Sequence, residues 1–241
     1  MKKVWLFLVS LVIISALAVG YFLFGDPAHS KNRTVFVVQF IRNPDLHKDW
    51  KIAAGARCGS APFAFPTDGM VGYLWDDSFE IGHRHQGIDI FGGTQPGITP
   101  VYAAYDGYLT RLSTWKSAVI IRIPSDPLHP GTQIWTYYAH MANADGSSLI
   151  AADFAPGTSE KFIKAGTFLG FMGDYSGDPN SPTGIHLHFS IDKDDGSGHF
   201  TNELQISNTL DPSPYFGLPL NATTNPTLPI LCPAENSTPN S

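Results

Sequence analysis

The pattern of apolar and polar positions divides the chain into one long apolar run and many short ones. The long run is uncharged from Val4 to Phe24, 21 residues that would span roughly 32 Å as a helix at about 1.5 Å per residue. That length is enough to cross the hydrocarbon core of a membrane. The pattern therefore predicts a transmembrane helix over residues 4–24, with residues 1–3 in front of it.

The same run has a second interpretation, as a cleaved secretory signal. Such a signal has an apolar stretch of about 7–15 residues followed by small residues at the cleavage site. Residues 16–18 (Ala-Leu-Ala) offer a site, but the apolar run continues past them to Phe24. We therefore favour an uncleaved anchor, with secretion as the alternative. Lys2 and Lys3 precede the span and no basic residue follows it before Lys31, which predicts a single-pass protein of the cell membrane with an extracytoplasmic domain.

After this run, short segments rich in β-branched and aromatic residues alternate with Gly and Pro. Residues 34–40 predict a strand that leads into the domain, within a linker over residues 25–57. The later segments show no sustained apolar pattern at helical spacing. They predict strands at 87–91, 100–104, 108–112, 118–123, 133–140, 168–172 and 185–191. We expect a mainly β fold: a single domain rich in antiparallel sheet, with few helices and with a groove walled by long loops.

The segments between these strands differ in composition. Residues 123–131 are typical of the turn of a long hairpin, and residues 174–184 of an extended surface loop. Residues 211–241 contain seven Pro and no Lys or Arg, which predicts an irregular tail. We therefore place the domain at 58–217 and a Pro-rich tail at 218–241. We expect the loops at 174–183 and 141–161 to wall the groove.

Composition and charge narrow the functional classes. The part of the chain beyond the predicted anchor carries 13 basic and 21 acidic residues, a net charge of −8 without a basic patch. Binding to nucleic acid is therefore not expected. Two cysteines exclude a cysteine-rich zinc finger and a dense disulfide scaffold. In an oxidising compartment Cys58 and Cys232 would tend to pair and close a long loop, and two free thiols are the alternative.

The candidate chemistry lies in three segments that contain histidine, at residues 83–90, 137–140 and 184–189. In a strand, His186 and His188 would face the same side, about 6.5–7 Å apart, while their apolar neighbours face a core. His85 and Asp89 are four residues apart and share a face in extended or helical backbone, and Gly87 allows a sharp turn between them. Two imidazoles and a carboxylate are a ligand set of catalytic zinc sites that keep a fourth position for water.

The order of the motifs is more informative than any one of them. H-x-x-x-D at 85–89 is followed by Tyr-x-His at 138–140 and by H-x-H at 186–188. The flanking segments agree with this order, at 62–66, 97–103, 106–107, 164–166, 169–173 and 211–216. From Ala61 to Phe216 the chain resembles the lysostaphin-type (LytM-like) zinc endopeptidases. The resemblance implies a hydrolase acting on peptide stems or cross-bridges of bacterial peptidoglycan.

The resemblance also implies roles for five residues. His85, Asp89 and His188 would be the zinc ligands for one zinc ion per chain, and His140 and His186 would be the catalytic pair. Zinc held in this way lowers the pKa of a bound water toward about 7 and polarises the scissile carbonyl. His186 and His140 are both candidates for the general base. The partners implied are a peptidoglycan peptide as substrate and the membrane, through the N-terminal helix.

Three other functions compete with this interpretation. Some LytM-like proteins are non-catalytic regulators or scaffolds that activate other cell-wall hydrolases, but all five site positions are present here. Non-haem iron oxygenases also use two His and one carboxylate, yet their usual H-x-D/E spacing differs and leaves His140 and His186 unexplained. In D-Ala-D-Ala peptidases the His and Asp ligands stand further apart. We expect His83 to flank the site, and the remaining histidines to lie at the surface: His29, His47, His129 and His199.

Overall fold

The computed structural model describes residues 28–78 and 83–233. Within these ranges no helix combines the length and the apolar character needed to cross a membrane. The predicted transmembrane helix at 4–24 lies outside the described residues, so it stays a prediction.

Strands account for most of the regular structure. They are β1 (Met70–Tyr73), β2 (Ile88–Phe91), β3 (Pro100–Tyr102), β4 (Gly107–Thr110), β5 (Val119–Ile123), β6 (Ile134–Ala139), β7 (Lys161–Ile163), β8 (Phe168–Phe171) and β9 (Leu187–Lys193). Seven of them form an antiparallel sheet in the order β1–β2–β9–β6–β5–β4–β7, and β3 pairs with β8 in a second sheet. The prediction of a mainly β fold with a large antiparallel sheet is confirmed. The short strands β1 and β7 were not predicted.

The helices are few, as expected. Helix α1 covers Ala28–Arg42, and helix α2 is a single turn at Ser213–Phe216. Shorter 3-10 turns lie at Pro44–Trp50, Ile206–Asn208 and Ala222–Thr224. Of these elements α1 bears most on the site, because it packs against β1 at the edge of the large sheet.

The predicted strand at residues 34–40 is wrong, because this segment belongs to α1. Its β-branched and aromatic residues favour a strand by propensity. However, Arg33, Val37 and Phe40 recur at helical spacing, and all three are buried. Val37 and Phe40 pack with Met70 and Phe91 in a small apolar cluster. Tertiary packing on one face of the helix therefore outweighs local propensity.

The predicted hairpin around residues 123–131 is confirmed. β5 and β6 pair antiparallel from Val119 opposite Tyr138 to Ile123 opposite Ile134. β6 also pairs along its whole length with β9, where the alternation predicted for the H-x-H strand is observed. Leu187 and Phe189 are fully buried in the main core. The large sheet thus turns one face of β9 to the core and leaves the other for the histidines.

The segment predicted as a separate tail is part of the core. Residues 218–233 have little regular structure, as expected, but Leu218, Leu220 and Ile230 are buried in the main core. Backbone hydrogen bonds join Trp75 to Leu220 and to Ala222. A disulfide links Cys58 to Cys232, with 5.1 Å between their Cα atoms. The packed domain therefore extends beyond the boundary expected at residue 217.

Substitution of a buried side chain in this segment tests that conclusion. We expect Leu220→Ala to lower the free energy of unfolding by about 2–5 kcal/mol, because the shortened side chain leaves a cavity in a packed core. Leu231 lies in the same segment but is 42% exposed. Leu231→Ala should change the stability by less than about 0.5 kcal/mol. Urea unfolding of both variants measures the difference, and equally small effects would contradict the packing of the tail into the core.

Candidate functional site

Three neighbouring strands bring the three histidine segments together. Asp89 on β2 lies opposite His188 on β9, and His188 lies opposite Ala139 on β6. His140 follows directly after β6, and His186 directly precedes β9. His85 precedes β2, and its backbone N–H donates to the carbonyl of Asp77. The five residues singled out in the sequence thus meet at one place on the sheet.

His85, Asp89 and His188 form a compact cluster of buried side chains. Asp89 Oδ1 lies 3.2 Å from His85 Nε2 and 3.0 Å from His188 Nδ1. The two histidine nitrogens are 3.1 Å apart. In the ranges 28–78 and 83–233 this is the one group of three or more His, Cys, Asp or Glu residues arranged to hold a metal ion. Their role as metal ligands stays a prediction.

The donor atoms of this cluster fit a tetrahedral metal. His85 Nδ1–H donates to the carbonyl oxygen of Leu74 at 2.8 Å, which leaves the Nε2 lone pair directed at the cluster. Ligands bound about 2.0–2.2 Å from a tetrahedral zinc ion lie roughly 3.3–3.6 Å from one another. The three observed separations, of 3.0, 3.1 and 3.2 Å, are slightly shorter than this range. The chemistry and the spacing of these atoms therefore suit a divalent metal with two imidazole ligands and one carboxylate.

The electrostatics of the cluster show that the groups compensate one another. Burial by itself raises the pKa of Asp89, but electrostatic interactions with His85 and His186 and the hydrogen bond from His188 hold it well below its usual range. Burial by itself lowers the pKa of His188, but hydrogen bonds to Asp89 and Glu203 raise it to about 10. Without a metal, the site therefore holds an ionised Asp89 beside a protonated His188. Binding of a metal cation must displace that proton.

His140 and His186 form a second pair beside the cluster. Their ring centroids are 4.6 Å apart, and His186 Nε2 lies 3.5 Å from Asp89 Oδ1. Burial lowers the pKa of His140 to about 4, helped by the neighbouring His186 and His188, and burial also lowers the pKa of His186. Both rings are therefore neutral at neutral pH. Each donates Nδ1–H to a carbonyl, of Tyr175 at 2.8 Å and of Gly184 at 3.0 Å, so each Nε2 is available as a proton acceptor.

The backbone at His140 is strained. Its φ of 66° lies in the left-handed region, which residues with a Cβ rarely adopt. The backbone N–H of the next residue, Met141, donates to the carbonyl of Ser117 and secures the turn. Strain of this kind costs roughly 1–3 kcal/mol and is concentrated at functional sites. Here it carries the chain out of β6 at the position where the imidazole joins the cluster.

Gly87 has a different role from the one expected. The sequence suggested that it allows a sharp turn between His85 and Asp89. In the structure a Cβ at this position would lie 2.2 Å from the carbonyl oxygen of Phe189 and 3.0 Å from His188 Nε2. A side chain here would push β2 away from β9. Glycine is therefore required for the close approach of two strands that carry site residues.

Glu203 is a site residue that the sequence did not reveal. Its Oε2 lies 3.4 Å from His188 Nε2, on the far side of the ring from Asp89, and Ser190 Oγ lies 3.2 Å from the same oxygen. Burial by itself raises the pKa of Glu203, but His188 holds it below its usual value. Burial raises the pKa of Asp192, which accepts a hydrogen bond from Ser190, to about 8. Glu203 belongs to no motif and lies 15 residues after His188, so no sequence signal marked it.

The cluster lies at the bottom of an open groove of about 930 Å³. Residues 175–177 and Thr183 wall it, as expected for the loop at 174–183, and His83 also lines it. The expectation that residues 141–161 form a wall is wrong, because none of them is among the residues that line the groove. Leu149 N–H donates to the carbonyl of Met141, and Phe154 is buried in the core. Residues 114–118 form that wall instead.

The remaining histidines lie away from the cluster. His129 and His199 are largely exposed, and His47 stacks on Trp50 with 3.8 Å between ring centroids. The side chain of His29 is not among those that the structure describes. These positions agree with the expectation of surface residues for the three whose side chains are described.

Comparison with known proteins gives matches among solved structures. No protein-family model matches the chain, and no curated protein matches it. The catalytic domain of the prophage-encoded M23 protein EnpA from Enterococcus faecalis, in a mutant form, is 20% identical, covers 63% of this chain and 96% of that chain, and has a TM-score of 0.37. A Ruminococcus gnavus protein described as a glycyl-glycine endopeptidase, lytM, is 24% identical, with coverages of 65% and 59% and a TM-score of 0.42.

A third solved structure, described as a peptidase M23 from Pseudomonas aeruginosa, is 18% identical to this chain. The match covers 79% of this chain and 63% of that chain, with a TM-score of 0.38. The chain therefore spans less than two thirds of the length of the Ruminococcus and Pseudomonas structures. At this level of similarity, an assignment of function depends on the residues of this chain.

The contact between Glu203 and His188 can be tested in the metal-free protein. We expect Glu203→Gln to lower the pKa of His188 from about 10 toward its ordinary value near 6.5. The variant removes the negative charge of the Glu203 carboxylate, which lies beside His188 Nε2. An NMR titration of the imidazole measures the change. Glu160→Gln is the matched control, since Glu160 is a partly exposed acid that pairs with Arg122. An unchanged His188 pKa in Glu203→Gln would contradict this role.

Proposed function

We propose that this protein is a zinc-dependent endopeptidase that hydrolyses peptide bonds in bacterial peptidoglycan. The observation that carries the proposal is the meeting of His85, Asp89 and His188 at ligand distances, beside two neutral histidines at the bottom of an open groove. The order of the three motifs, and the resemblance of residues 61–216 to LytM-like endopeptidases, support the substrate class.

The residues of the site divide the chemistry between them. His85, Asp89 and His188 would hold zinc, which in such a site lowers the pKa of a bound water to about 7 and polarises a carbonyl. Leu74 and Glu203 fix the orientation of the two ligand imidazoles through the nitrogens that face away from the cluster. We expect these contacts to keep both rings in the tautomer that binds a cation.

His186 and His140 would move the protons. His186 Nε2 lies 3.5 Å from a proposed ligand atom, Asp89 Oδ1, so a water held at the cluster is within its reach. Its lowered pKa keeps the ring neutral and able to accept the proton of the attacking water. We assign His186 as the general base. His140, beside it and held by the Tyr175 carbonyl, would orient the scissile carbonyl or return a proton to the leaving amine.

The groove suits an extended peptide. Trp115, Tyr137 and Tyr175 line it with aromatic surface. Lys116 lies over the ring of Tyr175, with 5.7 Å from Nζ to the centroid. In the part of the chain that the structure describes, it is the one Lys or Arg that lines the groove. An ammonium group at this position favours a substrate that carries a carboxylate.

We also propose that the protein is anchored in the cell membrane with its domain outside the cytoplasm. The apolar run at 4–24 and the lysines before it support this topology. The disulfide between Cys58 and Cys232 supports an oxidising compartment, where such bonds persist. Peptidoglycan would be accessible to a domain held there.

Substitution of the proposed base tests the function. We expect the wild-type protein to bind about one zinc ion per chain and to cleave purified peptidoglycan. His186→Ala should keep the zinc and lose about 10²–10⁴-fold in cleavage rate, because the proposed base is removed. His129→Ala, at a largely exposed histidine, is the control and should behave as wild type.

Three outcomes would contradict the proposal. A wild-type protein that binds no zinc lacks the proposed cofactor. Cleavage that persists in His186→Ala would exclude His186 as the base. Zinc binding without any cleavage by the wild-type protein would favour the non-catalytic regulator or scaffold. Metal analysis and mass spectrometry of the released peptides distinguish these results and identify the bond that is cut.

The affinity for zinc should depend on pH. In the metal-free site the pKa of His188 is raised to about 10, so its proton is present at neutral pH and must leave when a metal binds. We therefore expect zinc binding to tighten about tenfold for each pH unit between pH 6 and 8, with about one proton released per ion. Competition with a chelator at several pH values measures this slope. A zinc affinity that is constant over this range would contradict a protonated His188.

A further inference from the structure

Helix α1 lies outside residues 61–216, yet it contacts the elements that hold the site. We propose that α1 is a positioning element of the metal centre, which holds His85 and the ring that supports His186 in place. The identity of the metal in this proposal rests on the proposed zinc peptidase function. The contacts themselves do not depend on it.

The first line of contact runs from Arg33 to His85. Arg33 and Asp77 form a buried ion pair, with side chains 2% and 0% exposed, and Arg33 Nε donates to Asp77 Oδ1 at 2.9 Å. The other carboxylate oxygen of Asp77 accepts the backbone N–H of Leu74 at 2.8 Å. Arg33 therefore fixes the carboxylate that holds the turn at residues 74–77.

This turn is the support on which His85 rests. The carbonyl of Leu74 accepts Nδ1–H of the His85 ring at 2.8 Å. The carbonyl of Asp77 accepts the backbone N–H of His85 at 2.7 Å. Both the ring and the backbone of the proposed ligand are thus hydrogen-bonded to a turn that the Arg33–Asp77 pair closes. Partners of this kind determine the orientation and the basicity of a metal-bound imidazole.

The second line of contact reaches His186. Val37 and Phe40 of α1 pack against Phe91. The Phe91 ring stacks on the ring of His186, with 5.2 Å between centroids and 29° between planes. Thr34 Oγ1 lies 3.1 Å from the hydroxyl oxygen of Tyr73, which lines the groove. The same helix therefore supports a proposed ligand through a polar contact and the proposed base through an apolar one.

The energetics make Arg33 the decisive contact. Removal of one partner from a buried ion pair leaves the other charge buried and uncompensated. In Arg33→Met the Asp77 carboxylate would lose its ionic partner and would have to rotate toward water, which weakens its bond to Leu74 N–H. The orientation of His85 would then be less restricted. A substitution elsewhere in the core that lowers the free energy of unfolding would leave these contacts of His85 in the folded protein unchanged.

Helix α1 also follows closely after the predicted membrane segment along the sequence. It begins at Ala28, four residues after the apolar run ends at Phe24. The first segment after the predicted membrane span is therefore the helix that supports the proposed metal centre.

The experiment uses the full-length chain in detergent and compares four variants. Arg33→Met removes the charge, and Arg33→Lys keeps it with fewer donors. Arg42→Met changes an exposed arginine at the end of the same helix, and Leu109→Ala destabilises the core at a buried residue of β4. Two quantities are measured for each: the zinc dissociation constant, by competition with a chelator, and hydrogen exchange of the Leu74 and His85 backbone amides in the metal-free protein.

We expect Arg33→Met to bind zinc about 10–100-fold more weakly, as is usual when a residue that orients a ligand is lost. Its Leu74 and His85 amides should exchange faster than in the wild-type protein. Arg33→Lys should give intermediate values for both quantities. Arg42→Met should match the wild type, and Leu109→Ala should lose stability while its folded form keeps the wild-type zinc affinity.

The results that would overturn the proposal are specific. Wild-type zinc affinity and wild-type amide exchange in Arg33→Met would show that α1 does not position His85. An equal loss of zinc affinity in Leu109→Ala would show that the weaker zinc binding of Arg33→Met follows from a general loss of stability. If Arg33→Met does not fold, unchanged values in Arg33→Lys would overturn the proposal in the same way. A wild-type protein without zinc affinity contradicts the proposed function, and the amide exchange then decides the role of α1 by itself.

Discussion

The register of β2, β9 and β6 is the constraint on which the site depends. This register sets Asp89 opposite His188, and His188 opposite Ala139, so that three distant segments meet in one row across the sheet. Leu187 and Phe189, fully buried in the core, hold β9 in this register. Because side chains alternate along a strand, a slip by one residue would move the histidines into the core and the apolar residues into the groove. The hydrophobic core and the site are therefore specified by the same pairing.

The cost of burying ionisable groups explains the composition of the site. An isolated buried charge is strongly unfavourable, yet His85, Asp89, His186 and His188 are all buried. The structure compensates with a carboxylate on each side of His188, from Asp89 and Glu203, while His140 and His186 stay neutral. The same arrangement separates two kinds of histidine: the proposed metal ligands His85 and His188, and the neutral pair His140 and His186, whose Nε2 atoms can accept a proton.

The segments that precede and follow the main strands complete the support of the site. At one edge of the large sheet, α1 packs on β1 and pairs Arg33 with Asp77. The C-terminal segment returns to the core, where Leu220 is fully buried and the Trp75 backbone bonds to it. Both segments reach residues 74–77, the turn that holds His85. The position of the proposed ligand His85 is thus determined by segments from both ends of the domain.

The sequence alone determined the features that follow from local pattern: the mainly β fold, the β5–β6 hairpin, the alternation around His186 and His188, and the five candidate residues. Prediction from the sequence failed where a residue's surroundings are formed by residues far away along the chain. Residues 34–40 have strand propensity but form a helix, because Val37 and Phe40 pack on β1 and β2. Glu203 carries no motif and joins the site only because the chain after β9 returns to His188. Tertiary structure decided these features, because packing and electrostatic pairing across long sequence separations outweigh the weaker preferences of neighbouring residues.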